Sequence, residues 1–65
     1  MSKYAFCEVT KSGHVVKETS TLEKAWNAAS WFSEDGDTYD VFKVMEDGTR
    51  IHDARYKHGN LIEAM

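Results

Sequence analysis

Residues 20–36 read STLEKAWNAASWFSEDG, and the fold turns on whether this run is a helix. Ser20 and Glu23 stand three apart, the spacing of a capping box in which each side chain satisfies a free amide of the first turn. Gly36 supplies a left-handed stop that other residues enter only at a cost. At about 100° per residue, Leu22, Ala25, Trp26, Ala29 and Phe32 fall on one stripe. The spacing predicts a helix from about Ser20 to near Ser33, with that stripe on a sheet and Trp26 in the core. Trp31 falls about half a turn away, beside Lys24 and Asn27 on the polar side.

Working outward, KYAFCEVT (residues 3–10), KSG (11–13) and HVVKET (14–19) read as a β-hairpin with Gly13 in the turn. Ala5, Cys7 and Val9 occupy one side of its first strand and Tyr4 and Phe6 the other, so both sides are partly apolar and the pattern alone does not choose the buried one. After the helix, TYDVFKVM (38–45) alternates, EDGT (46–49) holds an Asp-Gly pair, and RIHD (50–53) returns as a strand. With Asp47 and Gly48 as a two-residue turn, Val44 faces Ile51 and Phe42 joins them, while Val41, Lys43, Met45, Arg50 and His52 take the other side. The expected fold is a single α+β domain of order β-β-α-β-β, one helix on a mostly antiparallel four-stranded sheet, with its core over residues 3–56 and an undefined tail over 57–65. Either that tail, ending in LIEAM (61–65), or another molecule is expected to cover part of the second sheet face.

A chain of 65 residues buries only about 60% of its unfolded surface, which leaves little room for a deep enzyme cleft. Its 42% hydrophobic and 12% aromatic content suits a compact domain. The single Cys7 cannot form an internal disulfide, and MSKYAFCEVT lacks the apolar segment of a signal peptide, so a reducing, cytoplasmic setting is expected. No run approaches the roughly 18 apolar residues of a membrane span.

The chemistry-bearing residues form few patterns. From Asp35, carboxylates stand at several calcium-loop positions, but Asp40 occupies the place that needs glycine and VFKVM follows as a strand, which excludes an EF-hand. Cys7, His14, His52 and His58 lack the paired spacing of a zinc site. No nucleophile, base or Gly-rich phosphate loop is evident, so neither an enzyme nor a metal or other cofactor is expected.

Binding remains. Trp31 is the first candidate contact, because tryptophan supplies large buried area at interface centres; the competing reading is that a loop or the tail folds over it. Glu34, Asp35, Asp37 and Asp40, beside it in sequence, form an acidic run that can stand where phosphates would sit in a partner's basic groove, or can serve solubility alone. Arg50, His52, Arg55, Tyr56 and Lys57 mix cations with a stacking ring, as a nucleic-acid surface does. The net charge of −3, from 11 acidic and 8 basic residues, weighs against that alternative. A homodimer burying the second sheet face through Tyr39, Val41 and Met45 is the third reading.

The hairpin, the capped helix STLEKAWNAASW (20–31) and the returning strand DTYDVFKV (37–44) resemble, in their order, small phage-encoded inhibitors of the anti-CRISPR type and of the host RNA polymerase inhibitor type. That resemblance implies a noncatalytic protein that covers a site on a host protein handling nucleic acid.

Overall fold

A computed structural model describes residues 3–64. Its elements are β1 (Tyr4–Lys11), β2 (His14–Thr19), α1 (Leu22–Phe32), a 3-10 turn (Ser33–Asp35), β3 (Thr38–Met45), β4 (Arg50–Lys57) and β5 (Asn60–Ala64). The strands form one antiparallel sheet in the order β2-β1-β3-β4-β5. The α+β class and the β-β-α-β-β start are as the sequence indicates. The tail differs: it covers no face, and residues 60–64 extend the sheet by a fifth strand, while Met65 lies outside the described residues.

β2 and β3 both run antiparallel to β1, on its two sides, so α1 carries the chain across β1 from one neighbour to the other. That crossing buries Cys7 and Val9 of β1 and Val41 of β3 completely beneath α1. Ala25 and Ala29 are the buried residues of α1, and their small side chains let its axis approach the sheet closely. Tyr39 and Ala54 complete the buried core, with Tyr4, Leu22, Ala28, Phe32 and Tyr56 packed around it. The undecided first hairpin is thereby settled: Cys7 and Val9 face the helix, and Phe6 faces away beside Val44. A bulge at Ala5 lets Tyr4 return to the helix side, where its hydroxyl accepts from the Leu22 amide at 3.1 Å.

The helix starts one residue later than the Ser20–Glu23 spacing implies. Thr21 is the N-cap, extended at φ −136° and ψ 157°, and its hydroxyl accepts from the Lys24 amide at 3.2 Å. Ser20 instead receives the Lys24 ammonium at 3.4 Å. The end falls where expected, since the Ser33 amide closes on the Ala29 carbonyl and Gly36 turns the chain at φ 93°.

The β3–β4 turn is the main correction. The Met45 amide donates to the Thr49 carbonyl at 2.8 Å, and the Gly48 amide to the Met45 carbonyl at 2.9 Å. Glu46, Asp47 and Gly48 therefore form a three-residue loop, with Gly48 left-handed at φ 90°. This shifts the register by one: Val44 pairs with Arg50 and Lys43 with Ile51, so Arg50 and His52, not Ile51, share the side of Phe42 and Val44. Phe42, Val44, Arg50 and His52 share the face away from α1, and Val41 goes beneath it, so the apolar face inferred for this hairpin does not exist.

Candidate functional site

The aromatic end of α1 is one candidate surface. Trp31 is 72% exposed, and its ring meets Phe32 edge-on at 5.9 Å. Phe32 stacks on Tyr39 at 5.8 Å, so the exposed indole stands on a ring chain anchored in the core. Among the described residues neither the acidic loop nor residues 57–64 cover it. Trp26 departs from expectation, being 38% exposed on the flank of α1. With Ala25 and Ala29 as the points of closest approach, a ring about 100° round from Ala25 has no room beneath the helix. Its indole N–H instead donates to Asp53 at 2.7 Å, reaching a residue that bulges from β4.

The acidic run separates into two environments. Asp35 accepts from the Tyr39 hydroxyl at 2.7 Å and the Asp37 amide at 2.8 Å. Lys11 bridges Asp37 at 2.7 Å and Asp35 at 3.7 Å. The Tyr39 hydroxyl first, then the Asp37 amide and Lys11, hold the Asp35 carboxyl below the usual carboxylate range. Asp35 in turn pushes the Tyr39 hydroxyl up, and Asp37 does the same for the Lys11 ammonium. Glu34 stays exposed at the foot of α1. Asp40 belongs elsewhere: it lies on the face opposite α1, where a single oxygen meets Arg55 Nε and His52 Nε2, each at 2.8 Å. Trp31, Glu34, Asp35 and Asp37 thus sit at one end of the molecule, and Asp40 does not join them.

The basic stretch is also divided. Arg50, His52, Arg55 and Lys57 alternate onto the open face, whereas Tyr56 turns to the helix side and packs on the core. Arg50 donates to Glu8 at 2.8 Å and lies 4.6 Å over the Phe42 ring, whose centroid is 5.2 Å from that of His52. Asp40 raises the pKa of Arg55 further above its ordinary value. Glu8 and Asp40 thus offset Arg50 and Arg55, as on a solvated face of an antiparallel sheet. Tyr39 and Val41 are buried under α1, which removes them from any dimer surface on the open face.

A third feature carried no recognised signal in the sequence. One helix about 10 Å wide cannot cover five strands spaced about 4.8 Å apart, so the helix side of β4 and β5 is left open. There Trp26, Asp53, Ala54, Tyr56, Leu61 and Ala64 line a cleft of about 250 Å³. The turn between β4 and β5 is tied to the end of α1 by a clasp: the Ser30 hydroxyl donates to the Gly59 carbonyl at 2.7 Å, and the Gly59 amide donates to the Ser33 hydroxyl at 2.9 Å.

Cys7 is fully buried, and burial followed by the nearby Asp53 pushes its thiol up, which disfavours the thiolate. Among the described residues no group of three or more His, Cys, Asp or Glu is placed to hold a metal ion, and no helix is long and apolar enough to cross a membrane. The fold and its surfaces define a small domain with one helix on a five-stranded antiparallel sheet. No family model matches the chain, and no curated protein or solved structure matches it either.

Proposed function

We propose that this domain is a noncatalytic protein-binding module whose principal contact is Trp31. The carrying observation is an indole 72% exposed that meets Phe32 edge-on, with Phe32 itself stacked on Tyr39, and a tryptophan has few rotatable bonds to immobilise on docking. Glu34, Asp35 and Asp37 beside it favour a partner surface of positive charge. A phage-type inhibitor acting in the host cytoplasm, which covers the basic groove of a nucleic-acid-handling protein, is the specific form of this proposal. In that form Asp40 contributes nothing, because it is engaged on the opposite face.

The test is affinity capture from host lysate with wild-type protein and Trp31→Ala side by side. A protein enriched on the wild type and lost from the variant supports the proposal, and identical captured sets refute it. For the specific form, binding should weaken as salt rises and the captured protein should release its nucleic acid.

Direct nucleic-acid binding is a second reading, favoured by Arg50 and His52 against Phe42 on an open face. It requires the Arg50–Glu8 and Arg55–Asp40 pairs to open. Measurable binding of single-stranded oligonucleotides at low salt, lost in Arg55→Ala, would support it; no binding there would eliminate it.

A further inference from the structure

We infer that the free edge of β5, with the cleft beside Trp26, is a docking site for an extended segment of a partner protein in which apolar residues alternate with Lys or Arg. The site is separate from Trp31 and does not depend on it.

Among the described residues β5 ends the sheet, so outer N–H and C=O groups on either side of the bulge at Ile62 have no partner strand. Proteins usually guard such edges with charge. The opposite edge, β2, exposes Val15 and Val16 but sets them among His14, Lys17 and Glu18, whereas β5 exposes Leu61 and Ile62 with Glu63 as its one charge. The edge adjoins the cleft directly, because Leu61 and Ala64 of β5 form its lip.

The two features call for the same ligand. A strand added to β5 forms main-chain hydrogen bonds along the edge and presents side chains to alternate faces. Those on the helix side lie beside Leu61 and reach the apolar cleft, whose volume of about 250 Å³ holds one or two side chains. That is below the roughly 300–1,000 Å³ of an ordinary small-molecule pocket. Those on the other side lie next to Glu63, which pairs across from Arg55 on the open face. The cleft lining itself contains Asp53 and no cation, Glu23 stands one turn before Trp26, and Glu34 lies against Gly59 at the clasp. On the open face Glu63 therefore selects Lys or Arg between the apolar residues, while the carboxylates around the cleft exclude acidic side chains from the helix side.

A second copy of this chain fits less well. Pairing β5 with β5 of another molecule places Glu63 of each near the other, and the sheet spacing keeps each α1 more than about 20 Å from its counterpart, leaving both clefts uncovered.

The experiment is selection from a displayed library of random short peptides against the full chain, followed by titration of the selected peptides. Expected are sequences alternating apolar residues with Lys or Arg, binding at least about tenfold more weakly to Leu61→Lys and changing the Trp26 emission of a Trp31→Phe protein. Methylating alternate backbone amides of the same peptide should abolish binding, a result independent of any change in the protein's fold. Trp31→Ala should leave the peptide affinity unchanged, which separates this site from the Trp31 contact. The inference is overturned by failure to select any peptide, by helical or acidic consensus sequences, by affinity indifferent to Leu61→Lys or to backbone methylation, or by light scattering that shows a dimer using the β5 edge.

Discussion

Ser33→Ala should loosen the fifth strand from the rest of the domain. The Ser33 side chain is fully buried and serves twice, donating to the Ser30 carbonyl at 2.9 Å and accepting from the Gly59 amide at 2.9 Å. Alanine fills nearly the same space, so little cavity results and the cost is that of the orphaned Gly59 amide. A buried donor left without an acceptor costs about 1–3 kcal/mol. Gly59 is only half-buried, and partial access to water places the expected loss at about 1–2 kcal/mol. A chain of 65 residues has a total stability of about 3–10 kcal/mol, so this is a substantial share. It corresponds to a fall in Tm of about 5–15 °C. Urea denaturation followed by far-UV circular dichroism measures the loss, and amide hydrogen exchange locates it. Exchange at residues 59–64 should accelerate more than exchange at Cys7 or Val41. A loss below about 0.5 kcal/mol, or acceleration equal across the sheet, would show that the clasp does not hold β5.

Further outcomes follow from individual contacts. Trp31→Ala should change stability by no more than about 0.5 kcal/mol, whereas Trp31→Phe should remove the red-shifted, readily quenched part of the tryptophan emission; two equally shielded indoles would contradict the exposed anchor. Glu8 and Glu18 face each other across β1 and β2, and only Glu8 has Arg50, so Glu18→Thr should stabilise the domain by about 0.5 kcal/mol, with the gain shrinking in high salt. Gly59→Ala should cost about 1–2 kcal/mol, because Gly59 sits at φ 77° in left-handed space, measured by the same denaturation. Asp35→Asn should weaken the fold at neutral pH. The Asp35 carboxyl is depressed in the folded state, so its contribution is present above the unfolded pKa and is lost as pH falls through the folded one. The difference between wild type and variant should therefore vanish in acid, and a difference that grows in acid would refute the assignment.

How far the sequence discloses this structure depends on the kind of signal. The helix is legible because the 3.6-residue period and the terminal glycine agree over residues 20–36, although its cap is Thr21 and not Ser20. The relative faces of β3 and β4 are not, because Asp47–Gly48 suits both a two-residue and a three-residue loop, and that single residue decides whether Ile51 or Arg50 and His52 share the side of Phe42 and Val44. β5 escaped notice although a signal existed. His58 and Gly59 both take positive φ, 53° and 77°, as Ser12 and Gly13 do at 52° and 82° in the first hairpin. A two-residue turn followed by NLIEA is thus the same device, disguised by a histidine where asparagine or glycine is usual. Helical spacing placed Trp31 outside the core correctly but misplaced Trp26, since period alone does not register that Ala25 and Ala29 draw the helix too close to the sheet for an indole. The acidic run looked continuous in sequence, yet strand alternation sends Asp40 to the opposite face from Asp35 and Asp37. The cleft beside Trp26 required both β5 and the displaced indole, neither of which the sequence reading supplied.

The central claim is that this domain binds another protein through Trp31. Its most direct test is calorimetric titration of the captured partner with wild type and with Trp31→Ala, after circular dichroism has established that the variant is folded. A central aromatic anchor contributes about 2 kcal/mol or more, so the variant should bind at least about thirtyfold more weakly. Equal Kd values for the two proteins would contradict the account.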